Sequence, residues 1–416
     1  MRIFYFMQFF PGEGAVGSQQ PIALAKRMAA RGHDVTVVSA DYNLDTGAPE
    51  PQAEWSAPHG GRLQVLRLVA PRGGRGTNFQ RLWAYIRFAL SALRRARSMP
   101  RANVVIGSIQ PLFTGWAASR VASRWRCPFV LEVRDLWPDA LVVKRAIGPL
   151  AAQPLHWLAN RLYRRADRIV SLTPGIKIEL EKKGVAAGKI DVFPNGFDPA
   201  LFDCPPDARA RVRKDLGWGD DFVAIYVGSF TKVTAIDVFV RAAEHLRAQA
   251  GLRFDLFGRG PTRAEVEALA GRLGLTNVHF HDPVPKPQVP GLLAAADTGL
   301  MSLFATPLAH IYFENKFMDY LGAGLPIFAA MEGEQARIVR ERGLGVVVPT
   351  GRDDLLAEAL LGATQGRYPL ARFGASGRTF VRERLLLPEI LERYADVVEA
   401  AAAGKLAGRP AWSPLE

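Results

Sequence analysis

Short, almost unbroken apolar runs alternate with amphipathic helical patterns along nearly the whole chain, and this alternation leaves few folds open. A strand that is apolar on both faces has to be covered on both, and that happens when crossover helices pack on either side of a parallel sheet. Strands are expected at residues 2–9, 34–39, 64–69, 104–106, 129–133, 168–172 and 190–192. A second series is expected at 222–227, 253–257, 278–281, 298–302, 326–329 and 345–347. At roughly 100–200 residues per domain, 416 residues suit two domains. The expected limits are 1–203 for an N-terminal Rossmann-like domain and 204–384 for a C-terminal one. A helix and tail at 385–416 are expected to pack back on the first domain. Residues 203–213, with paired prolines and many charges, read as the linker. The fold class is α/β, with two doubly wound domains facing each other across a cleft where the carboxyl ends of the strands place ligands.

Composition narrows the setting. Hydrophobic residues make up 49% and charged residues 22%, a balance that excludes disordered and fibrous classes. Cys127 and Cys204 are the two cysteines, too few for a disulfide framework or a zinc site, so packing in a reducing compartment must supply the folding energy. Residues 1–10 read as a first strand and not a signal peptide, because no small-residue cleavage site follows them. No apolar run reaches the 18 or so residues a spanning helix needs.

The net charge of +13 is localised: residues 55–131 hold thirteen Arg and no Lys, Asp or Glu, so the rest of the chain is balanced. Within that stretch residues 79–98 form a basic amphipathic helix, with Leu82, Trp83, Ile86, Ala89, Leu90 and Leu93 on one arc and Arg81, Arg87 and Arg95 on the other. With Arg94 it suits an anionic membrane surface; a core-facing helix with a solvated Arg face stays open beside it. No nucleic-acid motif accompanies the arginines, so no nucleic-acid partner is expected.

Two kinds of loop carry chemistry. Gly12-Glu13-Gly14-Ala15-Val16-Gly17 follows the first strand and is literally G-x-G-x-x-G, with Asp41 past the second strand. Glycines there let backbone approach a pyrophosphate, and the same loop serves a sugar substrate equally well. In the second half a helix is expected from Asn315, with Lys316 and Asp319 three apart on one face. Free N–H groups at a helix start plus a cation suit a diphosphate, and a carboxylate one turn later suits ribose hydroxyls. A Lys–Asp surface pair is the plainer alternative. Gly228-Ser229-Phe230-Thr231-Lys232-Val233-Thr234 and Gly258-Arg259-Gly260-Pro261 end two strands of the same domain and add phosphate-compatible turns. His279 and His281 share a strand face without a third ligand nearby, so no metal site is expected.

These residues together resemble a GT-B glycosyltransferase of family 4. The likeness rests on the N-terminal Gly loop and residues 29–37, on Arg134-Asp135-Leu136-Trp137-Pro138, on Pro194-Asn195-Gly196-Phe197-Asp198, on the Gly258 turn and on the run from Asp319 to Pro326. Residues 133–138 and Asn315-Lys316-x-x-Asp319-Tyr320 are similar to sugar transferases of O-antigen and capsule assembly. The resemblance implies a retaining, metal-independent enzyme with no cofactor. Its donor would be a nucleotide diphosphate sugar, UDP by default, and its acceptor a lipid-linked sugar. It also implies a cytoplasmic protein, peripheral on the inner face of the plasma membrane.

The implied donor residues are Gly228, Ser229, Lys232, Thr234, Gly258, Arg259, Pro285, Asn315, Lys316 and Asp319; Gly12, Glu13, Gly14 and Gly17 would line the acceptor side. The family's paired glutamates fall on Ile311 and Asp319, and its N-terminal-half His falls on Arg134, which leaves Arg134 and Asp135 as catalytic candidates. Two other functions compete: a dinucleotide-dependent oxidoreductase built on the Gly12–Gly17 fingerprint, and a non-catalytic membrane-surface protein.

Overall fold

The structure is a computed structural model and describes residues 1–10, 19–44, 47–57, 60–71, 78–143, 145–202, 205 and 207–415. The glycine loop with Gly12, Glu13, Gly14 and Gly17 lies outside the described residues, as does Cys204. Two compact units are present, one made of Met1–Asn195 with Leu387–Glu416, the other of Gly196–Leu386.

The first unit holds β1 (Arg2–Phe6), β2 (Asp34–Ala40), β3 (Ala53–Ser56), β4 (Arg62–Leu68), β5 (Val104–Ser108), β6 (Phe129–Val133), β7 (Arg168–Ser171) and β8 (Ile190–Val192). They pair in the order β3-β4-β2-β1-β5-β6-β7-β8, parallel except for the β3–β4 edge. Burial of β1 on both faces explains its apolar run. Ile3 and Tyr5 join the cluster formed with the helices Gln20–Ala30 and Leu387–Ala402, while Phe4 meets Trp125 of the helix Leu112–Trp125 edge-on at 5.0 Å. β3 was not legible in the sequence, because Ala-Glu-Trp-Ser is largely exposed and offers no apolar run; edge pairing alone makes it a strand.

The C-terminal helix belongs to this first unit. Arg31 pairs with Asp396 at 2.8 Å and with Glu392, His33 with Glu399 at 2.8 Å, and Tyr394 stacks on Phe193 at 4.9 Å.

The second unit holds β9 (Phe222–Val227), β10 (Leu252–Phe257), β11 (Val278–His281), β12 (Thr298–Ser302), β13 (Ile327–Ala330) and β14 (Gly345–Val348). Their order is β11-β10-β9-β12-β13-β14, all parallel. Chain order therefore reverses beside β1 in one sheet and beside β9 in the other, and crevices open at the carboxyl ends of such strands.

The expected linker is partly a docked helix, Ala208–Asp215. Arg209 and Arg213 lie one turn apart and both reach Asp297, at 2.7 and 3.3 Å, so their charge serves packing within the second unit. Among the described residues no helix is long and apolar enough to cross a membrane. Cys127 is a free, buried thiol, which burial pushes up to about 11.

Candidate functional site

At the carboxyl end of β9 the chain turns through Gly228, and the next turn, after β10, is zipped against it. Gly228 N–H donates to the Phe257 carbonyl at 3.0 Å, and Phe230 N–H donates to the Arg259 carbonyl at 3.0 Å. A Cβ on Gly258, whose φ is +148°, would stand 1.8 Å from the Gly228 carbonyl oxygen, so neither shape nor backbone angle admits a side chain. Arg263 clamps the pair from behind: its Nη1 reaches the Gly258 and His281 carbonyls at 2.5 and 2.9 Å. Sequence reasoning passed over Arg263, because its acceptors are carbonyls that only the sheet brings together.

The helix Asn315–Ala323 starts beside this turn. Two contacts fix it there. Val227 N–H donates to Tyr320 Oη at 3.0 Å, and the Tyr320 ring fits over Gly299 of β12, where a Cβ would lie 2.5 Å from it. Gln335, fully buried, holds the entry to the helix through two 3.0 Å bonds with the Glu314 backbone.

Lys316 runs under Gly228, with its Cε 2.8 Å from where a Gly228 Cβ would be. Its Nζ lies 2.7 Å from Glu314 Oε1 and 4.8 Å from the centre of the Tyr226 ring. Burial alone would lower the Lys316 pKa, but Glu314 and Tyr226 outweigh it and hold the ammonium above its ordinary range. The other oxygen, Glu314 Oε2, is buried with no hydrogen-bond partner among the described residues. Ile311, where the family's first glutamate falls, is buried and apolar. The carboxylate this turn supplies is Glu314 instead, a residue the eight-residue spacing pointed away from.

Asp319 comes one turn later and is bound by Lys286 at 2.6 Å. Pro285 opens the short turn Lys286–Gln288 that delivers this lysine. Lys232 and Arg259 are exposed at the same end of the sheet. Thr234 does something else: its hydroxyl donates towards the Ser229 and Thr231 carbonyls, each at 3.0 Å, which closes the Gly228 loop and leaves the group little capacity for a ligand. His281 is likewise committed, to Asp255 at 2.7 Å and to a stack on Phe257 at 4.1 Å.

Residues 22–196 match the family described as Glycosyl transferase 4-like domain, and residues 221–365 match Glycosyl transferases group 1. The chain belongs to the family 4-like glycosyltransferases. Solved glycosyltransferases share its GT-B fold. Anabaena Alr3699/HepE, crystallised in complex with UDP-glucose, superposes with a TM-score of 0.71 over 96% of this chain and 100% of that one, at 17% identity. Sucrose-phosphate synthase from Thermosynechococcus elongatus gives 0.77 over 97% and 99%, at 20% identity. Among relatives by sequence, WcaI of Escherichia coli (strain K12), assigned as a colanic acid biosynthesis glycosyl transferase, is 26% identical over 66% of this chain and 70% of its own length. The GDP-mannose-dependent alpha-(1-6)-phosphatidylinositol monomannoside mannosyltransferase of Mycolicibacterium smegmatis is 29% identical over 45% of this chain and half of its own. The comparisons give no support to a dinucleotide oxidoreductase.

In the first unit of this glycosyltransferase, Arg134 and Asp135 follow β6. Arg134 is a hub: Nη1 donates to Gln20 Oε1 at 2.8 Å, Nη2 to Asn195 Oδ1 at 2.8 Å, and Glu132 Oε1 lies 3.4 Å away. Glu132 in turn accepts from Tyr5 at 2.8 Å and from Tyr394 at 3.4 Å. Gln20 and Asn195 are 114 and 61 positions away and are brought in by the sheet, so local sequence does not reveal that this guanidinium is enclosed. Asp135 caps its own turn through Leu136 N–H at 2.9 Å.

In the helix Asn78–Ala96 the expected apolar arc is split: Ala89 is buried, Ile86 and Leu93 are half-buried, and Leu82, Trp83 and Leu90 are exposed. Ala84, Tyr85, Phe88 and Ala92 face the core, and Phe79, Leu82, Trp83 and Leu90 stand exposed beside Arg87, Arg94 and Arg95, with the Arg87 guanidinium 5.9 Å from the Trp83 ring. Arg81 is half-buried. Small and aromatic residues win the core side because they fit the close approach of the helix Leu112–Trp125.

Proposed function

We propose that this glycosyltransferase moves a sugar from a nucleotide diphosphate sugar to a lipid-linked acceptor in cell-surface polysaccharide assembly, with retention at the anomeric carbon. The second unit takes the donor and the first unit the acceptor. The observation that carries the reading is the buried Lys316 ammonium at a helix start, under a side-chain-free Gly228 turn, with Asp319 one turn further on. A cation and amide donors at a helix start stabilise charge as it develops on a leaving diphosphate.

In this scheme the Asn315 and Lys316 amides and the Lys316 ammonium receive the diphosphate, with Lys232 and Arg259 at its edge. Gly228, Ser229 and Gly258 offer backbone where the phosphates approach. Asp319 exchanges Lys286 for ribose hydroxyls, and Pro285 lies beside the base. Glu314 Oε2, lacking a partner among the described residues, accepts a sugar hydroxyl. The leaving phosphate takes the acceptor proton on the same face of the sugar, so the protein supplies position and charge. Asp135 and the Gly12–Gly17 loop orient the acceptor hydroxyl, and Arg134 is a positioning residue that holds the β6 turn. The exposed aromatic and arginine face of the helix Asn78–Ala96 keeps the enzyme at the anionic inner face of the plasma membrane, where a lipid-linked acceptor is anchored. A relative named for mannosyl transfer to phosphatidylinositol monomannoside supports a lipid acceptor, one named for colanic acid biosynthesis supports polysaccharide assembly, and a fold neighbour crystallised with UDP-glucose makes UDP the first nucleotide to try.

The test is thermal shift with UDP, GDP, CDP, ADP, NAD and FAD. A ligand at 100 times its Kd adds about 2.7 kcal/mol to stability. One nucleoside diphosphate should raise the melting temperature, and a rise with NAD or FAD alone would overturn the proposal.

A further inference from the structure

Three neighbouring helices cover one face of the first unit's sheet: Asn78–Ala96 packs on Leu112–Trp125, and Leu112–Trp125 packs on Pro149–Arg165. Together they contain nine arginines and no Lys, Asp or Glu. Such a sign bias over three consecutive elements of one layer makes a single field that attracts anions. The third helix adds the apolar part of a membrane contact on its own account. Leu150 is 88% exposed and Trp157 61%, with the Arg161 guanidinium 5.7 Å from the Trp157 ring.

Between the second and third of these helices lies a cavity of about 350 Å³, lined by Trp116, Arg120, Leu158, Arg161, Arg164 and Arg165 among others. Trp116 and Arg120 are one turn apart on their helix, as are Leu158, Arg161 and Arg165 on theirs, so each helix offers one face to the gap. The helices close on one another at Gly115, where a Cβ would lie 3.5 Å from Leu162 Cδ1. Among the described residues Arg165 pairs with one acid, Asp167, at 3.6 Å with both groups well exposed, a pair of little strength. Four guanidiniums lining one small gap with Trp116 and Leu158 match a phosphate in charge and in the kind of donor they offer.

We propose that this inter-helix pocket binds the phosphate-bearing headgroup of an anionic lipid, with Trp157 and Leu150 on its flank entering the bilayer surface. It is separate from the donor site in the second unit. It rests on the membrane-surface reading of the Asn78–Ala96 helix and adds to it a defined headgroup site.

The experiment is co-sedimentation of the full-length protein with phosphatidylcholine vesicles containing or lacking phosphatidylglycerol, at 0.15 M salt. Arg120→Ser/Arg164→Ser removes two pocket charges; Arg94→Ser/Arg95→Ser removes two charges of the same layer outside the pocket. All four residues are exposed, so both variants should melt with the parent. The parent should bind only the anionic vesicles, and the pocket variant should lose at least fivefold more affinity than the equal-charge control. Equal losses would leave diffuse attraction and overturn the pocket while sparing the membrane reading. No binding by the parent would overturn both. A stabilising shift with soluble glycerol phosphate, lost in the pocket variant, in a protein that ignores vesicles would assign the pocket to free phosphate and overturn the lipid source.

Discussion

Replacing Lys316 by Met separates the scaffold role of this residue from its donor role. The Nζ–Oε1 distance of 2.7 Å corresponds to about 6 kcal/mol of gross Coulomb attraction at an effective dielectric of 20. The side chains are 10% and 14% exposed, so removing one partner strands a buried charge, at a cost of about 3–5 kcal/mol. For a unit of this size that lowers the melting temperature by roughly 6–20 °C. Lys316→Met/Glu314→Gln removes both charges and should melt within about 1 kcal/mol of the parent. Nucleoside diphosphate affinity should behave differently. A charge-assisted bond to phosphate contributes about 1.5–3 kcal/mol, so titration calorimetry well below each melting temperature should show Lys316→Met and the double variant binding roughly 10- to 150-fold more weakly. Affinity within twofold of the parent in Lys316→Met would refute the donor role and leave Lys316 as packing.

Other outcomes follow from the same geometry. Lys286→Ala should shift the melting temperature by no more than about 4 °C, because a half-exposed pair contributes about 1 kcal/mol or less. It should leave nucleoside diphosphate affinity unchanged or higher, since Asp319 is released, whereas Asp319→Ala should weaken binding at least tenfold; equal losses in both would remove the ribose role. Arg134→Met should cost about 3–5 kcal/mol by stranding Glu132, and Arg134→Met/Glu132→Gln should recover both stability and kcat. Stability without kcat in that double variant would make Arg134 a catalytic residue. His279 is held below its ordinary value near 6.5, by burial first and by Arg253 second. The folded state resists its protonation, so this stability is complete above about pH 6.5 and is lost as pH falls through the lower folded value. The melting temperature should therefore fall between pH 7 and 5 with a slope that His279→Gln reduces, and identical slopes would disprove it.

How far the sequence reached depends on the range of the interaction. Two doubly wound sheets were legible because β1, β6 and β9 are buried on both faces and show it within a few residues. The start of the helix at Asn315 and the tight turns at Gly228 and Gly258 were legible for the same local reason. β3 was not, since edge pairing with β4 and not its own residues makes it a strand. The arginine-rich helix Asn78–Ala96 was legible as amphipathic, but which of its apolar residues meet the core was left open between a membrane-facing and a core-facing reading. Periodicity cannot say whether leucine and tryptophan or alanine, tyrosine and phenylalanine meet a neighbour, and the close approach of the helix Leu112–Trp125 decided it.

The amino-acid order by itself determined the architecture, the placement of a cation and a carboxylate one turn apart on one helix, and an arginine-only stretch without acids. Backbone periodicity, turn chemistry and net charge are properties of neighbours in the chain. Tertiary structure decided what those side chains are bonded to. Lys286 reaches Asp319 across 33 positions, Gln335 grips Glu314 across 21, and Arg134 joins Gln20 across 114. Such pairs exist because parallel strands deliver their carboxyl ends, and the loops that follow, to one edge of a sheet. Strand order sets that meeting, and strand order is fixed by the packing of the whole unit.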